Sequence, residues 1–237
     1  MSVVVVIPSR GRPFRALEAV LAIRATAART DTSVILAVDA DDPLRSEYYR
    51  MIGAHWSTYG PEVTLVTLDP DETGDLVRAT NTVSLRVARD DPTAIIGNLG
   101  DDHRTRTYGW DRRVLEVLAE PGIAYGDDRI QGERLPTAPF ISASIVNALG
   151  WYALPTCRHL FIDDAWKALG LGIDALRYLP DVVIEHEHPA GGKVEWDDGY
   201  RLANSEARLV ADRDAYHEWR NTTYYADVDN IKRAIRR

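Results

Sequence analysis

Four apolar, largely β-branched runs, each closed by a polar turn and followed by a helical pattern, decide what this chain can fold into. They fall at 3–7, 34–38, 63–68 and 94–99. Runs of this kind suit strands covered on both faces. After the first, Ser9-Arg10-Gly11-Arg12-Pro13 turns the chain, and Pro13 fits the opening position of a helix with Phe14, Leu17, Val20 and Leu21 on its apolar side. The second run ends at Asp39-Ala40-Asp41-Asp42-Pro43 before a short helix over 44–51. The third precedes an acidic loop, 69–75, and a helix bearing Leu76, Ala79, Val83 and Val87 on its apolar side. The fourth delivers Asp101 and Asp102 to a strand end, ahead of a helix over 110–118 with Val114, Leu115 and Leu118 inward. Successive strand-helix units predict an α/β fold with a mainly parallel sheet and helices on both faces. Ligands of such open sheets bind beyond the carboxyl ends of the strands, which puts Ser9, Asp39 and Asp102 on one rim.

Past Gly126 the alternation breaks down. Pro136, Pro139 and Pro155 punctuate a region with a short helix over 142–149, stopped by Gly150, and a second helix opened by Asp163-Asp164. Val182-Val183-Ile184 reads as a strand ending at His186 and His188, and 197–219 as one outer helix with Tyr200, Leu202, Leu209, Val210 and Tyr216 available for packing. At 237 residues, 45% of them hydrophobic, the chain can bury a substantial core as one domain.

The net charge of −8 excludes broad, sequence-independent nucleic-acid binding, which needs an extended basic face, but leaves room for a single nucleotide. Lys167, Lys193 and Lys232 are the only lysines; the arginine bias fits either coding composition or a need for bidentate anion contacts. Cys157 is the lone cysteine, so no intrachain disulfide can form and a cytoplasmic location is the expectation. The apolar run at 3–7, cut off by Pro8, is too short for a signal peptide or a membrane span.

Adjacent carboxylates at a strand end repel, and a fold that keeps Asp101 and Asp102 there usually supplies a divalent cation; the bland alternative is a solvated turn pair before Arg104-Thr105. Asp163 and Asp164 form a second pair, which could equally serve a helix N-terminus, and Asp127-Asp128 a third, read as lining a bound ligand. His186 and His188 alternate on an extended segment and share a face with Ile184, so one can be a ligand and the other its outer partner; an exposed pair is the alternative. Arg10 and Arg12, beside Gly11 at a helix start, suit a diphosphate assisted by free backbone N–H groups, or else surface acids. Lys193, after Gly191-Gly192, could close on phosphates or sit in a plain loop. Of Trp110, Trp151, Trp166 and Trp196, one at most is expected to stack on a ligand, the rest being core.

Over residues 3–190 these segments resemble the GT-A glycosyltransferases, most closely the family-2-like branch, and in size the bacteriophage-encoded members. Pro8, Ser9, Arg10 and Arg12 match the family's nucleotide-contacting turn, and Asp39 its base-contacting acid. Arg78 and Asn81, in Arg78-Ala79-Thr80-Asn81, are similar to the Arg-Asn helix start before the metal strand. Leu99-Gly100-Asp101-Asp102-His103 occupies the place of the Asp-X-Asp signature, with Gly100 replacing the first Asp and Asp102 keeping the second; an alternative register pairs Asp101 with His103. Asp163-Asp164 resembles the pair that carries the base, Asp164 in its second position, and His186 or His188 stands where a late histidine reaches the metal.

The resemblance implies a GT-A (Rossmann-like) fold with a nucleotide-sugar half at 1–126, a smaller acceptor-side portion at 127–195 and a helical segment at 196–237. It implies Mn²⁺ or Mg²⁺ on Asp102 and a histidine, with Asp101 and Lys193 toward the donor. A UDP-sugar donor is favoured, and the hexosyl group passes with inversion to a hydroxyl deprotonated by Asp164. The acceptor stays open among a glycan, a protein and a modified nucleobase, and the oligomeric state stays open too. Two rivals remain: a nucleotidyltransferase, whose Gly-rich, Lys-containing loop Ser9–Pro13 matches poorly, and a non-catalytic nucleotide- or sugar-binding module. No G-x-G-x-x-G follows the first run, which disfavours a dinucleotide oxidoreductase.

Overall fold

In the computed structural model, which describes residues 1–54, 62–69 and 75–236, strand β1 (Val3–Ser9) lies between β2 (Thr32–Asp39) and β4 (Ile95–Asn98), parallel to both. β3 (Glu62–Leu68) extends the parallel set beyond β2. The helices between them are α1 (Pro13–Thr26), α2 (Arg45–Ala54) and α3 (Leu76–Asp90). Alternation along the strands feeds two apolar layers: Val6 and Ile96 point into one, Val5, Ile7 and Ile95 into the other, all of them fully buried.

The second half adds β5 (His103–Thr105), α4 (Trp110–Val117), β6 (Ile123–Asp127), β7 (Pro139–Ser142), α5 (Ala143–Leu149), α6 (Ile162–Gly172) and β8 (Leu176–His186). The chain continues through α7 (Asp198–Ala203), α8 (Glu206–Thr222) and α9 (Tyr224–Ile235). Eight strands run in the order β3-β2-β1-β4-β7-β6-β8-β5. β7 is antiparallel to both β4 and β6, β8 is parallel to β6, and β5 is antiparallel to β8. The sheet is therefore parallel through its first four positions and mixed beyond them.

Several sequence expectations change. Phe14 and Leu21 of α1 are exposed, and the buried face is Ala16, Ala19, Val20 and Ile23, a stripe at helical spacing whose small residues let the helix lie close to the sheet. The outer helix predicted over 197–219 is two helices, because Asn204 ends α7 and the extended Ser205 restarts the chain as α8. Tyr200 is buried and Tyr216 packs against the core as expected, whereas Leu202, Leu209 and Val210 are exposed; the further packing contacts come from Trp219, Tyr224, Val228 and Ile231. The predicted 182–184 strand is the end of the longer β8. Residues 70–74 of the acidic loop lie outside the described residues. Trp110, Trp151 and Trp166 are core, which leaves Trp196, exposed beside His188, as the tryptophan of the four able to stack on a ligand. No helix among the described residues is long and apolar enough to cross a membrane.

One buried acid joins the C-terminal helices to the start of α6. The Asp212 side chain, on α8, accepts backbone N–H bonds from Arg158 (3.0 Å), His159 (3.0 Å) and Leu160 (2.8 Å). The next residue, Phe161, has φ 63° and opens α6, the helix that carries Asp163 and Asp164. Asp212→Ala leaves these donors without their acceptor, at a cost of about 3 kcal/mol. Calorimetry is expected to show the melting temperature falling by roughly 6–12 °C, as a loss of that size does in a domain of this length; an unchanged melting temperature contradicts the clamp.

Candidate functional site

The rim formed by the ends of β1, β2 and β4 opens into a cleft of about 710 Å³. Pro8, Ser9, Arg10, Arg12, Asp39, Asp101, Asp102, Asp163, Asp164, His186 and His188 all line it. Residues from the N-terminal turn and from the last strand thus face one space.

The β4–β5 turn sets the two central acids apart. Gly100 is required there, because a Cβ would collide with Asp102 Oδ1 and press on His103 Nδ1. The buried Arg104 guanidinium holds the turn by donating to the carbonyls of Asp101 (2.7 Å) and His103 (3.0 Å). Asp101 faces the N-terminal rim, accepting from Ser9 Oγ at 2.6 Å with Arg12 Nη1 at 3.5 Å. Burial, together with the adjacent Asp102 charge, pushes Asp101 up to about 6. Asp102 faces the other way, accepting from the Tyr200 hydroxyl at 2.8 Å, with His186 Nε2 at 3.3 Å and His103 Nδ1 at 3.2 Å. Burial alone would raise Asp102; the contacts with His103 and His186 outweigh it and hold the carboxyl well below its ordinary range.

Strand register makes the histidine pair. His103 on β5 lies opposite His186 on β8, and the two rings stack with centroids 4.2 Å apart. Burial and the neighbouring His186 lower His103. Burial would also lower His186, but Asp102 reverses the direction. One ligand atom each from Asp102, His103 and His186 lies within 4.8 Å of the others, a carboxylate–imidazole set that suits Mn²⁺ or a similar divalent ion. The Gly100 N–H donates to His103 Nδ1 at 3.0 Å, and the buried Nε2 of the same ring has no hydrogen-bond partner, which leaves it open to a further ligand. An orphaned polar atom here is what a site shaped around an additional ligand leaves behind.

The metal set thus differs from the one read in the sequence. His188 stands beside His186, centroids 5.1 Å apart, but lies outside the group, and His103 takes its place. Neither sequence register describes the arrangement, since Asp102 and His103 act together while Asp101 is turned toward Ser9.

At the N-terminal turn, Arg10 pairs with Asp39 (2.8 Å) and Asp41, and those carboxylates raise its guanidinium further. Arg12 pairs with Asp197 at 2.6 Å and lies over the Tyr200 ring at 4.0 Å. The backbone groups expected to be free are taken: Gly11 N–H donates to Asp42 at 2.7 Å and Arg12 N–H to the Tyr48 hydroxyl at 2.8 Å. Any anion here meets side chains rather than an open N–H nest.

Across the cleft, burial pushes Asp163 up to about 7, with Asp164 and Asp128 adding to the rise against the pull of His186. Burial raises Asp164 as well. Four expectations fall away from the cleft. Asn81 spends its amide on Tyr152 and Ala153, accepting both N–H groups and donating to the Ala153 carbonyl. Arg78 is exposed at the start of α3, and Lys193 is paired with Glu185 at 2.8 Å; neither lines the cleft. Of the Asp127-Asp128 pair, Asp128 is consumed by the turn that follows, accepting from the N–H groups of Ile130, Gln131 and Gly132 and from the Thr137 hydroxyl. The sequence reading missed Tyr200 as a site residue; its one local signal is Asp197, which caps α7 by accepting the Tyr200 N–H at 2.8 Å.

No protein-family model matches the sequence, and no curated protein sequence matches it. Solved structures do. The chain is similar to a mannosyltransferase from Pyrobaculum calidifontis solved with GDP-Man and Mn²⁺, at 14% identity and TM-score 0.62, over 98% of this chain and 73% of that one. It is similar to residues 1–349 of S. aureus TarS with UDP-GlcNAc, at 9% identity and TM-score 0.56, over 94% and 73% of the two chains. It is also similar to glucosyl-3-phosphoglycerate synthase from Mycobacterium tuberculosis with Mn²⁺, UDP and phosphoglyceric acid, at 11% identity and TM-score 0.56, over 91% and 78%. The fold is the nucleotide-diphospho-sugar transferase type of α/β architecture. More specifically, it is the GT-A fold.

The raised Asp163 makes a signed prediction. A carboxyl titrating near 7 when folded, and near its ordinary value when unfolded, releases its proton more readily from the unfolded chain. It therefore costs stability progressively as pH climbs from about 4 to 7. Asp163→Asn lacks this loss, so urea unfolding is expected to show the variant gaining on the parent across that window and holding level above it. A difference independent of pH contradicts the raised value.

Proposed function

We propose that this chain is a metal-dependent glycosyltransferase that moves a sugar from a nucleotide-diphosphate donor to a hydroxyl acceptor. One observation carries the reading: the Asp102–His103–His186 group and the Asp163–Asp164 pair line the same cleft. The ligands of the structural neighbours, GDP-Man with Mn²⁺, UDP-GlcNAc, and UDP with Mn²⁺, support a divalent ion and a nucleotide-sugar here. A uridine donor is favoured.

Asp102, His103 and His186 would hold Mn²⁺ or Mg²⁺, which when bound neutralises charge developing on the departing diphosphate, an effect worth several kcal/mol. Asp39, at the end of β2, is placed for the nucleoside, and Arg10 and Arg12 for the anionic part of the donor. Ser9 and Arg12 fix Asp101, keeping its charge away from Asp102. Asp164 accepts the proton of the acceptor hydroxyl as the oxygen attacks the anomeric carbon, so that the new bond forms opposite the one that breaks. Its raised pKa makes it a better base than an ordinary surface carboxylate. Asp163, raised further, keeps a second proton site next to it.

Incubation with GDP- and UDP-sugars, with and without Mn²⁺, tests this. Metal-dependent release of nucleoside diphosphate is the expected result, and pyrophosphate would instead identify a nucleotidyltransferase. Binding with no turnover would identify a module. Asp164→Asn is expected to keep donor and metal binding while losing about 10²–10⁴-fold in turnover, the usual contribution of a general base. Asp102→Ala is expected to abolish Mn²⁺-dependent donor binding in calorimetry; unchanged binding would displace the metal from this cluster.

A further inference from the structure

The cleft is lined by three arginines, and two of them pair with carboxylates: Arg10 with Asp39 and Asp41, and Arg12 with Asp101 and Asp197. The third, Arg208, is half-buried on α8 and lines the cleft close to His159, which shares the lining with Leu160 and Phe161. Among the described residues no carboxylate pairs with it, although acids outnumber bases in the chain by 36 to 28. The helix that carries Arg208 is fixed here, because Asp212, four residues on and so on the same helix face, accepts the N–H groups of Arg158, His159 and Leu160. Burial and the Arg208 charge push the neighbouring His159 down to about 4, so the adjacent ring is uncharged at neutral pH and does not add a second cation.

We propose that Arg208 is the acceptor-recognition residue of this site and selects an acceptor carrying an anionic group, a phosphate monoester or a carboxylate, near the hydroxyl to be glycosylated. The proposal rests on the transferase reading for the word acceptor, but the anion site itself does not. A planar guanidinium with no protein partner offers two parallel N–H donors to such a group. The loop His159-Leu160-Phe161, which shares the cleft lining with Arg208, leads directly into Asp163 and Asp164. An anion held by Arg208 therefore brings the rest of its molecule toward the proposed base.

Ligand-observed NMR titrations of the full chain with glucose 6-phosphate, glucuronate and glucose test the idea and separate the two anion sources. At least one anionic sugar is expected to bind roughly 10- to 100-fold more tightly than glucose, the size of a charge-assisted hydrogen-bond pair. In Arg208→Ala that ratio should collapse toward one, and Arg208→Lys should keep part of it. Equal binding of all three sugars, no saturable binding of either anion, or a preference that survives in Arg208→Ala overturns the assignment. If the anion preference depends on Arg208 while no nucleotide-sugar is turned over, the anion site stands and the transferase reading falls.

Discussion

The structure depends on how one buried carboxylate is compensated. Asp102 is almost wholly removed from solvent, and an ion in that position costs several kcal/mol unless charge and hydrogen bonds surround it. Its partners come from three places in the chain: His103 beside it, His186 at the end of β8, and Tyr200 on α7, 98 residues on. The same contacts that make the acid tolerable tie the last strand and the first C-terminal helix to the rim of the parallel sheet. The candidate cation site and the link from β8 and α7 to the sheet rim are thus one set of interactions.

Adjacent acids in sequence are given opposite jobs by the turn between β4 and β5. Asp101 leans to Ser9 and Arg12 and holds its proton to about 6, whereas Asp102 leans to the histidines and stays ionised. Two like charges side by side favour such a division, since only one can ionise cheaply. Gly100 suits this turn, because a side chain there would displace the Asp102 carboxylate from its present position. The departure from an Asp-X-Asp pattern at this position follows from that packing, and His103, on the following strand, joins Asp102 in the candidate metal group.

The parallel strands were readable because their β-branched runs are buried on both faces, and the rim was readable because each run ends in polar residues. Ser9, Asp39 and Asp102 reach one cleft for that reason, and α6 brings Asp164 to it from the other side. What the sequence hid is what long-range pairing creates. His103 meets His186 through strand register, Tyr200 reaches Asp102 from the far end of the chain, and Arg208 reaches the cleft from a helix whose outward leucine and valine look like packing residues. Asn81 looked functional by its place in a motif, yet its amide is spent holding the Tyr152–Ala153 backbone. The N–H groups of Gly11 and Arg12 looked free because Asp42 and Tyr48 lie on the next strand-helix unit.

The central claim, that Asp102, His103 and His186 form a divalent-metal site, is tested most directly by electron spin-echo spectroscopy of Mn²⁺ bound to the full chain labelled with ¹⁵N-histidine. Modulation from directly coordinated histidine nitrogen is the predicted result, reduced in His103→Ala and in His186→Ala taken separately. A spectrum of Mn²⁺ surrounded by water and carboxylate oxygen alone, the same in both variants, would contradict the account.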